Sequence, residues 1–85
     1  MTYEVLFKPK FLRALKRIDK AQQIRILSKI YKLSEDPRPL ASKRLKGSVY
    51  YRLRVGDYRI IYDVADANLT VLILDVGHRQ GVYKG

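Results

Sequence analysis

The sequence predicts a single small α+β domain, residues 1–85, in the order β-α-α-β-β-β(β), with two helices packed on an antiparallel sheet. Three observations carry this. The first half holds two amphipathic stripes of helical period, a double proline at Pro37 and Pro39 ends them, and the second half switches to a period of two. Eighty-five residues allow one core and no second domain; such a chain buries roughly 60–65% of its unfolded surface, so its stability is modest.

Thr2 to Phe7 alternate, with Tyr3, Val5 and Phe7 on one side, as in a first strand. Phe11, Ala14, Leu15 and Ile18 then follow the i, i+3, i+4, i+7 spacing of a helix, and Pro9 suits its first turn. Asp19 followed by Gln22 has the form of a capping box opening a second helix. Leu27, Ile30, Tyr31 and Ser34 share one face of it, with Ile26 and Leu33 alongside. Asp36-Pro37-Arg38-Pro39 forces an extended loop. Beyond it Val49, Tyr51, Leu53 and Val55 form a core face and Tyr50, Arg52 and Arg54 a polar one. Gly56-Asp57 marks a turn, Tyr58 to Val64 a return strand, Ala65 to Asn68 another turn, and Leu69 to Val76 a last strand. That strand is apolar on both faces, which places it inside the sheet.

Eighteen Lys and Arg against eight Asp and Glu leave a net charge of +10. A polyanionic partner relieves such self-repulsion, and nucleic acid is the first candidate. The chain has no Cys, which removes disulfide scaffolds and thiolate metal sites and fits a reducing cytoplasm. The start carries no secretory leader pattern, and the longest purely apolar run, Val71 to Leu74, is far too short to span a bilayer. No membrane association, metal or small-molecule cofactor is expected.

The chemistry-bearing residues cluster late in the chain. Arg38, Lys43, Arg44, Lys46, Arg52, Arg54 and Arg59 are opposed only by Asp57, and Tyr50 and Tyr58 lie among them. Guanidinium forks grip phosphates and aromatic rings stack on bases, so this pattern suits a nucleic-acid backbone. The sequence ends in "DVGHRQGVYKG", where His78 is the one side chain whose type changes charge near neutral pH.

Three segments, "RLKG" at Arg44–Gly47, "YRLRVGDYRIIY" at Tyr51–Tyr62 and "VGHRQGVY" at Val76–Tyr83, carry a resemblance to the RelE/ParE superfamily of toxins from prokaryotic toxin–antitoxin pairs, closest to its RelE branch. The resemblance implies a ribosome-dependent mRNA endonuclease that inhibits translation, cutting by attack of a ribose 2′-OH on the adjacent phosphate without a metal. It implies catalytic roles for Arg59, Arg79 and Tyr83, and phosphate binding by Arg52 and Arg54, with Lys43, Arg44 and Lys46 beside them. The RelE pattern has lysines at the positions of Arg52 and Arg54. Arginine stays charged, so these two are better phosphate clamps than bases, and His78 is the candidate to move a proton in their place. The partners implied are the ribosome with its mRNA and an acidic, RelB-like antitoxin that wraps the basic surface. Two further readings compete: a ParE-like toxin that binds and blocks DNA gyrase, and a non-catalytic basic RNA-binding module.

Overall fold

The computed structural model describes residues 2–78. Strand β1 (Glu4–Phe7) leads into helix α1 (Pro9–Lys16) and helix α2 (Lys20–Lys32), followed by β2 (Ser42–Arg44), β3 (Tyr51–Val55), β4 (Tyr58–Ala65) and β5 (Thr70–His78). A short 3-10 turn, Asp66–Asn68, joins the last two strands. The five strands form one sheet in the order β1-β5-β4-β3-β2, so β5 is interior as expected. The class is α+β with two helices on the sheet, but the sheet is mixed, not purely antiparallel: β1 runs parallel to β5. Strands β3, β4 and β5 are joined by short turns and must reverse. No turn links β1 to its neighbour, so nothing local sets its direction.

Pro9 occupies the first turn of α1, where its missing N–H costs nothing. Asp19 stands at the N-cap of α2, yet its side chain makes no capping hydrogen bond, so the capping box is not formed. Gln23 instead donates its side-chain amide to the Ile18 carbonyl (2.7 Å) and holds the corner between the helices. The buried stripe of α2 is Ile26 and Ile30, continued by Leu33, while Tyr31 is 56% exposed; the expected face is rotated by one position. In β3 the core face begins at Tyr51, and Val49, 59% exposed, precedes the strand. The β2 strand, only three residues long, has too little pattern to be distinguished from its loop.

One core lies between helices and sheet. Phe11, Leu15, Ile26, Ile30 and Leu33 meet Leu53, Val55, Ile60, Tyr62, Val71, Ile73 and Val76, each fully buried large side chain contributing about 1.5–3 kcal/mol. The β3–β4 hairpin turns at Gly56, whose φ of +58° favours glycine, and the Arg25 guanidinium lies against it. No described helix is long and apolar enough to cross a membrane.

Candidate nucleic-acid interface

The side of the sheet away from the helices is covered by no described element, and the register decides what it displays. Cross-strand partners point to the same side of a sheet. Leu53 pairs with Ile60 on the core side, so Lys43 opposite Arg52, Arg52 opposite Ile61, and Arg54 opposite Arg59 all face the other way. Four cations from three adjacent strands therefore share the open face, in two directly opposed like-charge pairs. Such pairs destabilise a sheet.

No carboxylate of the described residues lies within 4 Å of any of the four. Among the described residues the ion pairs are Lys10 with Asp75 (3.3 Å) and Arg38 with Asp66 (2.6 Å). Asp75, which flanks Ile61 in the register, is thus already engaged. Ile61 is fully buried although it faces away from the helices, and it stands outside the core cluster. Its register partners are Arg52 and Asp75. Arg59 is half-buried, and its Nε is buried with no hydrogen-bond partner among the described residues. A buried guanidinium donor left unmade is costly, and an anion arriving from solvent would satisfy it.

The other basic residues divide. Arg44 stands opposite Tyr51, on the core side of the alternation, and donates from Nε to the Ser48 carbonyl (3.1 Å), clamping the β2–β3 turn. Lys46 is exposed in that same turn. Arg38 is withdrawn from the cationic cluster altogether. Its two terminal nitrogens grip both Asp66 oxygens (3.2 and 2.6 Å) and its Nε donates to the Tyr51 hydroxyl (3.0 Å). The guanidinium also sits 5.4 Å from the Tyr51 ring centre, and the Tyr3 hydroxyl donates to Asp66 (2.7 Å). The Arg38 fork and then Tyr3 hold the Asp66 carboxyl below the usual carboxylate range, and the same carboxylate raises Tyr3. Next to this tie Tyr62 stacks on Tyr51 (5.7 Å) and donates to the Pro37 carbonyl (2.8 Å); burial pushes its hydroxyl pKa up.

Two residues of the expected set lie apart from the arginines. His78 pairs with Tyr58, whose ring packs on the core, and the two rings meet edge to face at 5.8 Å. Both therefore lie on the helix side, where His78 lines a polar cleft of about 250 Å³ with Asp19, Gln22, Arg25, Gly56, Asp57 and Tyr58. Neither the histidine as proton carrier nor Tyr58 as base-stacking ring sits on the arginine face. The cause is a register shift between Ile61 and Tyr62, which pair with Asp75 and Ile73 and leave Leu74 extra. That β-bulge reverses the alternation beyond it. Gly77, not His78, stands opposite Arg59. Arg79 and Tyr83 lie outside the described residues.

The comparisons with known proteins agree with this architecture. The family model described as the ParE toxin of the type II toxin–antitoxin system parDE matches residues 5–83. The chain belongs to the RelE/ParE toxin superfamily. A RelE-like toxin protein of Escherichia coli is 32% identical over 82 residues, covering 94% of this chain and 86% of the relative. The toxin of an archaeal RelE–RelB complex from Pyrococcus horikoshii superposes with a TM-score of 0.84 at 32% identity, over 96% of this chain and 100% of that one. A chain from the RelBE toxin–antitoxin complex of Mycobacterium tuberculosis gives 0.84 at 28% identity, over 93% and 100%. The protein is a RelE-like toxin of a type II toxin–antitoxin system.

Proposed function

We propose that this toxin is a ribosome-dependent mRNA endonuclease whose open sheet face holds the phosphate being attacked. The observation that carries the reading is the two like-charge register pairs, Lys43 with Arg52 and Arg54 with Arg59, with no carboxylate within 4 Å among the described residues. A sheet tolerates that arrangement when an anion completes it. In the reaction the ribose 2′-oxygen bonds to the adjacent phosphorus as the bond from phosphorus to the 5′-oxygen breaks. The 2′-OH gives up its proton and the departing 5′-oxygen gains one, leaving a 2′,3′-cyclic phosphate. Negative charge accumulates on the phosphoryl oxygens at the pentacoordinate stage, and fixed guanidinium donors aimed there lower the barrier. Arg52 and Arg54 would grip the backbone, Arg59 the reacting phosphate, with Arg79 and Tyr83 completing the set as the family pattern implies. The ribosome would supply the attack geometry that so small a surface cannot impose.

The partner outside translation is an antitoxin of RelB type, supported by the RelE–RelB complexes among the structural relatives. An acidic segment laid on the arginine face would neutralise it and occlude mRNA together. The ParE description of the matching family model supports a second reading, inhibition of DNA gyrase by binding. Primer extension on ribosomes halted at a defined codon separates the two. Cleavage in the decoding-site codon, lost in Arg79→Ala, is the expected result. Intact mRNA together with inhibited supercoiling by gyrase would replace the nuclease reading with the second.

A further inference from the structure

The backbone conformation of Gly77 does not require glycine. It lies within β5 and is not among the glycines with positive φ, which are Gly47 and Gly56. A glycine inside a strand weakens the strand and marks a place where something must approach the backbone closely. Its register partner is Arg59, the residue whose buried Nε has no acceptor among the described residues. The bulge at Leu74 is what brings the two opposite each other; without the extra residue the position would present a side chain of the other parity.

We propose that Gly77 is a positioning residue of the cleavage site: by contributing no side chain opposite Arg59, it leaves the place that the scissile phosphodiester occupies against the Arg59 guanidinium. This rests on the nuclease reading and specifies where on the open face the reacting group sits. A methyl group at that position would stand beside Arg59, because directly opposed Cβ atoms in an antiparallel pair are about 4.5–5.5 Å apart. It would hold the phosphate off its donors by an ångström or more, a displacement able to cost roughly 10²-fold in rate.

The test is single-turnover cleavage by wild type, Gly77→Ala and Gly77→Val on programmed ribosomes, with ribosome concentration varied and thermal melting measured alongside. The expected result is a saturated rate reduced roughly 10²-fold in Gly77→Ala and further in Gly77→Val. The half-saturating ribosome concentration should be unchanged, and Gly77→Ala should melt no lower than wild type, since alanine loses less backbone freedom on folding. A Gly77→Ala rate equal to wild type would overturn the inference while leaving the nuclease reading intact. A fall in rate matched by a fall in melting temperature would overturn it too, assigning the glycine to the fold. A wild-type protein that leaves mRNA uncut would remove both.

Discussion

Two groups of basic residues lie on this small sheet, and they are built to opposite rules. At the loop end Arg38 grips Asp66, leans on Tyr51 and shares its carboxylate with Tyr3. Every charge there has a counter-charge, and the cluster ties β1, the proline loop, β3 and the 3-10 turn together. On the open face Arg52, Arg54 and Arg59 stand with Lys43, and none of the four has an ion-pair partner within 4 Å among the described residues, although Asp63 and Asp75 share that face by the register. The first cluster is finished as it stands. The second, on the reading proposed above, is completed by an anion. Arginine is common to both, and the difference lies in what each guanidinium meets.

The sharpest way to break that contrast is Arg59→Ala. It should lower mRNA cleavage roughly 10²–10³-fold, the usual cost of losing one donor to a developing oxyanion. The melting temperature should hold or rise, because a like-charge pair is relieved; a clear drop in thermal stability would make Arg59 a structural residue like Arg38. Tyr62→Phe probes the finished cluster. Losing the hydrogen bond to the Pro37 carbonyl should cost about 0.5–1.5 kcal/mol of stability in urea titration, with cleavage per folded molecule unaltered.

A smaller effect belongs to Asp66→Asn. The folded carboxyl titrates below its ordinary value, so its stabilising contribution is full above about pH 4 and disappears as pH falls through the folded value. The variant should melt below wild type at neutral pH, and the two curves should converge in acid; a gap that persists unchanged to low pH would show that the Arg38 tie is not electrostatic. Smallest of all is His78→Gln. With its ring against Tyr58 on the helix side, the substitution should leave the cleavage rate within about twofold and its pH profile unmoved. Loss of an ionisation from that profile would return the histidine to the reacting groups.

Much of this was legible in the chain. The helical stripe of α1, the proline break and the alternation of Arg52 and Arg54 with Leu53 and Val55 are local patterns, and each appears where the spacing predicts it. Arg38 was less legible: it reads as one more cation of the basic run, and only the approach of Asp66, 28 residues away, takes it out. Adjacent Ile60 and Ile61 do signal a strand covered on both sides. They do not reveal that the second faces away from the helices and stands outside the core cluster.

The amino-acid order by itself determined the fold class, the two-helix layer and the concentration of positive charge on one side of β3 and β4, because helix and strand periods act over a few residues. It did not determine which residue of β5 meets Arg59. Val71 and Ile73 face the core, and strict alternation from them would turn His78 toward the arginines. One unpaired residue, Leu74, shifts the parity and brings Gly77 there instead. A bulge is a property of two strands packed together, stabilised by pairing on both sides of it and by the core that accepts Val76. It exists only once the tertiary structure has formed.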